Sequence, residues 1–287
     1  RAGMDDYAFA SVADKIFVDP IGGSVSFEGY VSGRSYYKNM LEKIHVGFDE
    51  FRYLKYKSAV ESFTRENMSD GEREQRQVMI EDWFSTTSSA LVSSGRVSNQ
   101  KLDSLMNSNF NYSTKDLLAN HLADTVGRWN DFSSIIQKYD NKAIFEKLIN
   151  ESKKPAPYDD KWGRGKDIGQ IAIVYAIGEC SMTTGIKAAS LVKDIESVME
   201  DQSISAVVVR VDSPGGDAMA SDYIADVMKK YRGKKPIIVS QGAVAGSGGY
   251  WLSMYGDTIV ASPYTITGSI GVIGNWIYDK GLKDTLG

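Results

Sequence analysis

Three short and almost wholly apolar runs, at residues 171–176, 206–211 and 236–239, set the limits on what this chain folds into. Strands buried on both faces read this way, because neither side meets water. The stretches between the runs carry a different period. Ile186, Leu191, Ile195 and Met199 recur at mostly helical spacing, and residues 217–231 read as a second helix opened by the acidic Asp217. A Gly-rich turn after residue 239, a short helix near 248–255 and a strand at 258–261 complete the series. Strand and helix in alternation predict an α/β fold, a parallel sheet with crossover helices.

The first half is less regular. Ser69-Asp70-Gly71-Glu72 is a capping-box pattern that predicts a polar helix to about Leu91, with further helical patterns at 113–123 and 131–150. Two prolines and flanking charge in Glu151-Ser152-Lys153-Lys154-Pro155-Ala156-Pro157 predict a linker and a domain boundary near residue 160. The chain also resembles itself. Slid so that Gly3 falls on Gly246, it matches Tyr7 to Tyr250, Asp14 to Asp257, Ile16 to Ile259 and Pro20 to Pro263. The expected organisation is the back part of one copy at 1–65, a helical segment and linker at 66–159, and the front part of a second copy at 160–287. Met4 stands in the first copy where the second has Ser247. Both ends read as cut, since Arg1 is no initiator and Thr285-Leu286-Gly287 reads as a helix and its cap.

Composition removes several chemistries. Thirty-three Lys and Arg against 37 Asp and Glu give a net charge of −4, which offers no footprint for nucleic acid. The single cysteine, Cys180, excludes an internal disulfide and a cysteine-rich metal site. Only two histidines, His45 and His121, are present and they lie 76 residues apart, so a metal site built on several histidines is not expected, and any hydrolysis must proceed without the usual imidazole base. The uncharged stretches 236–256 and 258–278 are rich in Gly, Ser and Thr and read as buried strands and turns rather than membrane spans.

Two Gly-rich turns remain as candidates for chemistry. Ala245-Gly246-Ser247-Gly248-Gly249-Tyr250 follows a buried strand and opens a helix. Such a turn exposes a serine hydroxyl and aims helix N-terminal N–H groups at a developing oxyanion. The strict G-x-S-x-G form fails at Ala245, and most turns of this kind are only turns. A phosphate-cradling loop is a rival reading, but no Gly-Lys-Ser/Thr follows. Ser213-Pro214-Gly215-Gly216-Asp217 ends the neighbouring strand, and in parallel sheets sites collect at the carboxyl ends of strands. A nucleophilic Ser247 needs a base, and a desolvated lysine can serve. Lys57, read as ending an aromatic-rich strand and preceding a helix, is the candidate. Spacing alone does not separate it from a solvated surface lysine.

The motifs Tyr56-Lys57-Ser58-Ala59-Val60-Glu61-Ser62-Phe63, Asn67-Met68-Ser69, Asp212-Ser213-Pro214-Gly215-Gly216, Gly246-Ser247-Gly248-Gly249-Tyr250-Trp251 and Thr265-Ile266-Thr267-Gly268-Ser269-Ile270-Gly271-Val272 together resemble the S49 serine peptidase family, in its long duplicated signal-peptide-peptidase (protease IV) form. The resemblance spans nearly the whole chain and is weakest at 85–160. It implies a ClpP/crotonase-like fold in each repeat and a Ser–Lys endopeptidase that needs no metal or organic cofactor and acts on remnants of cleaved signal peptides. Ser247 then matches the nucleophile, Lys57 the base donated by the other repeat, and Ser269 a serine that orients the lysine amine. Gly215 or Gly216, with the N–H of Gly248, matches the oxyanion hole. The resemblance also implies peptide partners, a tetramer-like homo-oligomeric ring, and attachment to the extracytoplasmic side of a cell membrane through an anchor outside this sequence. Two other readings stand beside it, a crotonase-like acyl-CoA enzyme and a catalytically silent scaffold that binds peptides.

Overall fold

A computed structural model describes residues 1–109, 111–140 and 169–287, so the expected linker and the expected helix beyond residue 140 lie outside the described residues. Up to residue 140 the elements are α1 (Met4–Ala10), β1 (Phe17–Val18), β2 (Ser24–Ser26), α2 (Lys38–Lys43), β3 (Val46–Arg52), α3 (Glu61–Thr64), α4 (Asp70–Ser93), α5 (Asn99–Ser108), β4 (Asn111–Ser113), α6 (Thr114–Ala119), β5 (Thr125–Val126), a 3₁₀ turn (Trp129–Asp131) and α7 (Phe132–Tyr139). From residue 169 they are β6 (Gln170–Ile177), α8 (Ala188–Glu200), β7 (Ile204–Ser213), α9 (Ala218–Tyr231), β8 (Ile237–Gly246), α10 (Gly248–Ser253), β9 (Thr258–Val260), β10 (Ile266–Gly268), β11 (Ile273–Asp279) and α11 (Leu282–Leu286).

The contacts group these elements into two units, Arg1–Ser32 with Met79–Asp159, and Gly33–Val78 with Asp160–Gly287. Residues 1–65 are therefore shared between them. In the first unit β1 pairs with β5 in parallel and β2 with β4 antiparallel. The segment expected to be helical thus contributes two strands, each paired with the start of the chain. The helix expected at 113–123 shortens to α6 at both ends: Asn111-Tyr112-Ser113 extends to meet β2 and buries Tyr112, and the chain leaves the helix at Asn120, ahead of His121 with its positive φ of 55°. Phe27, Leu91, Leu105, Leu117 and Leu122 form the core of this unit.

The second unit holds the parallel sheet, ordered β10-β8-β7-β6 with β9 also on β8. Val207, Val209 and Val211 point alternately from β7 into a core shared with Leu191 and Ile195 of α8 and Ile224 and Met228 of α9. Each such fully buried side chain is worth about 1.5–3 kcal/mol. Helix α9 starts where Asp217 accepts the Ala220 N–H at 2.8 Å, as the acidic start signal predicts.

One expectation changes here. The Gly-rich stretch after Val239 is not a turn but the continuation of β8 to Gly246. The register of β7 against β8 shifts between Val211 and Ser213, and the Asp212 carboxylate fills the gap, accepting from Val244 N at 3.1 Å and Ala243 N at 3.4 Å. Backbone donors that lose their strand partner are satisfied by that side chain, so the strand carries on. Gly242 is needed for this fit, since a Cβ there would lie 2.5 Å from an Asp212 oxygen.

A second, two-stranded sheet completes the unit. β3 runs antiparallel to β11, from Val46 opposite Asp279 to Arg52 opposite Ile273. The chain that leaves β3 is thereby delivered to the carboxyl ends of β8 and β10.

Candidate active site

Ser247 lies between β8 and α10, with φ 51° and ψ −116°. Non-glycine residues rarely adopt that conformation, which costs about 1–3 kcal/mol and persists only where the surroundings enforce it. Here they do. Its N–H donates to Gly268 O at 2.8 Å, and its carbonyl accepts the Trp251 N–H at 2.9 Å to start the helix. Gly215 approaches so closely that a Cβ there would stand 2.6 Å from both Ser247 Cβ and Gly248 N.

Lys57 does not end a strand as expected. It sits in the loop after β3, and its side chain returns to the serine. Its Nζ is 3.0 Å from Ser247 Oγ, 2.7 Å from Ser269 O and 3.1 Å from Ser269 Oγ. The lysine is 6% exposed, and burial lowers its pKa below the ordinary lysine value. Among the described residues, no carboxylate is within ion-pair distance of the amine to oppose that shift. Ser269 also has a positive φ, 50°, which turns both its carbonyl and its hydroxyl toward the lysine.

The arrangement suits proton abstraction. A neutral amine has two N–H donors and one lone pair. The two oxygens of Ser269 can take the donors, which leaves the lone pair for the Ser247 hydroxyl proton. The three residues that the sequence singled out at the far ends of the chain are thus brought together, and all belong to the second unit.

The glycines divide their tasks. The Gly215 N–H is engaged by Ser213 Oγ at 3.2 Å, so it does not face the cleft as a donor. Cys180 bridges Gly216 through its neighbours, accepting from Asp217 N at 2.9 Å and donating to Gly215 O at 2.8 Å. That pairing leaves the Gly216 N–H, like the Gly248 N–H, without a protein acceptor among the described residues. Ser213 is fully buried and supports the turn. Neither Asp212 nor Ser213 was assigned a task from sequence, although both stand in a motif that was noticed.

A cleft of about 410 Å³ opens beside Ser247 and Lys57. Ala218, Trp251, Met254, Ile270 and Val272 give it an apolar lining that contains no histidine and no carboxylate. Among the described residues, no group of three or more His, Cys, Asp or Glu is placed to share a metal ion.

Comparison with known proteins gives a consistent picture. The family description Peptidase family S49 matches residues 3–151 and 229–287. Protease 4 of Salmonella typhi is 33% identical over 282 residues, which cover 93% of this chain and 45% of that protein. The chloroplastic serine protease SPPA of Arabidopsis thaliana is 30% identical over 292 residues, covering 94% of this chain and 41% of that protein. The chain therefore spans less than half the length of these relatives. A solved structure, the 1510-N membrane-bound stomatin-specific protease K138A mutant in complex with a substrate peptide, overlaps 35% of this chain and 44% of its own at 21% identity, with a TM-score of 0.29.

Proposed function

The chain belongs to peptidase family S49, a family of serine peptidases, and from that premise we propose that Ser247 and Lys57 form the dyad with which it hydrolyses peptide bonds, cleaved signal peptides being the substrate. The observation that carries this reading is the 3.0 Å contact between a buried lysine amine and a serine hydroxyl on a strained turn.

In the proposed reaction neutral Lys57 takes the proton of Ser247 Oγ as that oxygen bonds to the peptide carbonyl carbon. The carbonyl oxygen becomes the oxyanion and is received by the N–H groups of Gly248 and Gly216. Collapse breaks the C–N bond, and the Lys57 ammonium returns its proton to the leaving amine. Water then repeats the attack on the acyl-enzyme, with Lys57 again as base, and frees Ser247. Ser269 holds the amine in line throughout. The apolar lining of the cleft suits the apolar core of a signal peptide.

The family resemblance extends the reading to attachment at the extracytoplasmic face of a membrane and to a tetramer-like ring. No described helix is long and apolar enough to cross a membrane, and on this reading the anchor lies outside this sequence. A crotonase-like acyl-CoA enzyme would make no use of the amine-to-hydroxyl contact.

The test is the pH profile of kcat/KM for an apolar peptide with the intact enzyme. An ordinary lysine titrates near ~10.4. Because burial lowers the Lys57 pKa, activity should rise along an acid limb centred below that value as the amine loses its proton. Lys57→Arg should be inactive at every pH, since guanidinium stays charged. An active arginine variant, or a profile with no acid limb, would exclude this base.

A further inference from the structure

A lysine amine is only as well aimed as the backbone that carries it, and here that backbone is a loop. Residues 53–60 form neither helix nor strand. The side chain adds four flexible bonds of its own. Yet the carbonyls of Tyr56 and Ser58, the residues on either side of Lys57, are individually held. Gln75 Nε2 donates to Tyr56 O at 2.8 Å, and Arg34 Nη1 donates to Ser58 O at 2.7 Å.

These two donors are themselves fixed. Gln75 stands near the start of α4. Arg34 is oriented by its Nε, 3.0 Å from Glu72 Oε1, an oxygen that also takes Arg76 Nε at 2.8 Å. At the base of the loop, Arg52 at the end of β3 donates to Glu61 at the start of α3. Glu61 Oε2 accepts the Ser69 N–H at 3.1 Å and so ties the loop to the head of α4. Gly71 lets that head approach, since a Cβ there would lie 2.8 Å from Lys55 O.

The cost of this arrangement argues that it is not mere packing. Glu61 is 0% and Glu72 1% exposed, and buried ion pairs of this kind seldom stabilise a fold more than apolar side chains of the same size would. What they supply is a fixed geometry. We propose that Arg34 and Gln75 are positioning residues for the reaction, clamping the carbonyls before and after Lys57 so that its amine stays on Ser247. Neither lines the cleft, so both act through the lysine. This rests on the Ser–Lys reading above.

Misplacing a catalytic group by about 1 Å can cost around a hundredfold in rate. The groups that face the amine are the Ser247 hydroxyl and the hydroxyl and carbonyl of Ser269. Of the charged groups nearby, Lys55 is paired with Glu74, and Glu61 and Glu72 are engaged by Arg52, Arg34 and Arg76. A loosened loop therefore changes the amine mainly by admitting water.

The experiment measures kcat, KM, the acid limb and the thermal midpoint of the intact enzyme for Arg34→Gln, Gln75→Ala and Lys57→Ala. Arg34→Gln and Gln75→Ala should lower kcat roughly 10–100-fold with KM nearly unchanged. Both should move the acid limb upward, toward an ordinary lysine. Gln75 is partly exposed, so its truncation should leave the thermal midpoint in place even if Arg34→Gln folds poorly. A wild-type kcat and limb in Gln75→Ala and Arg34→Gln would overturn the proposal, as would a loss that tracks only the thermal midpoint. Activity surviving in Lys57→Ala would instead overturn the dyad itself.

Discussion

The turn at Gly3-Met4 and the turn at Gly246-Ser247 share a local pattern but are built differently. Each follows an extended segment and opens a short helix, and each has a parallel partner just beyond, Val25 beside Ala2 and β10 beside the end of β8. The differences lie in the atoms around the turn. Met4, which aligns with Ser247, lies in the first turn of α1 with no positive φ, whereas Ser247 is held at 51°. Met4 is 3% exposed and belongs to the core of its unit. The first turn of α1 carries Asp5 and Asp6, and Asp6 Oδ2 already accepts the Gly3 N–H at 3.0 Å. In α10 those positions are Gly248 and Gly249. The Gly3 turn meets its helix N-terminus with the Asp6 carboxylate, while the Gly246 turn leaves the Gly248 N–H without a protein acceptor among the described residues. Tyr7 and Tyr250 diverge likewise. Tyr7 is buried with its hydroxyl on Leu122 O at 2.6 Å, and Tyr250 lines the cleft. On the proposed reading, a catalytic turn therefore needs more than a serine. It needs strain, uncovered N–H groups and a lysine within reach.

The largest expected effect tests that asymmetry directly. Ser247→Ala should reduce peptide hydrolysis by about a thousandfold or more, and adding Met4→Ser to it should restore nothing. Met4→Ser alone should leave the chemistry unchanged but destabilise the protein by about 2–4 kcal/mol, through loss of a core side chain. Recovery of turnover in the double variant would show that the first turn is still competent. Next in size is Gly215→Ala, which should lower kcat roughly 10–100-fold, because its methyl meets Ser247 Cβ and Gly248 N and its φ of 92° resists a side chain. Normal kcat in that variant would mean that the turn is not held from the Gly215 side. The smallest effect belongs to Asp6→Asn, expected to cost roughly 0.5 kcal/mol in chemical denaturation with no change in kcat, since it weakens only the charge at the start of α1. A change in kcat there would couple the two turns.

Much of the second unit was legible because both signals are local. Apolar runs marked β6 and β7, and Asp217 marked the start of α9. The serine turn could be seen, but not its strain, which depends on Gly268 and Gly215 arriving from elsewhere in the chain. Lys57 was legible only through the family resemblance, because nothing near it in sequence distinguishes a buried lysine from a solvated one. The capping box at Ser69 was half right. Ser69 Oγ does accept from Glu72 N at 3.2 Å, but the returning carboxylate is Glu61, and Glu72 turns to the arginines instead. The strands within the segment read as helical were missed because two or three residues are too few to show a period.

The long stretch of chain between Lys57 and Ser247 also has a consequence for synthesis. Lys57, the proposed base, is synthesised long before Ser247, and the two are 190 residues apart in sequence. Closing so long a loop is entropically costly and slow compared with forming helices. Lys57 has neither Ser247 nor Ser269 beside it until those residues are made, so the contacts that hold its amine are absent from a shorter chain. On the proposed chemistry, a partly made chain is therefore unarmed, and its growing end is safe from its own catalytic groups.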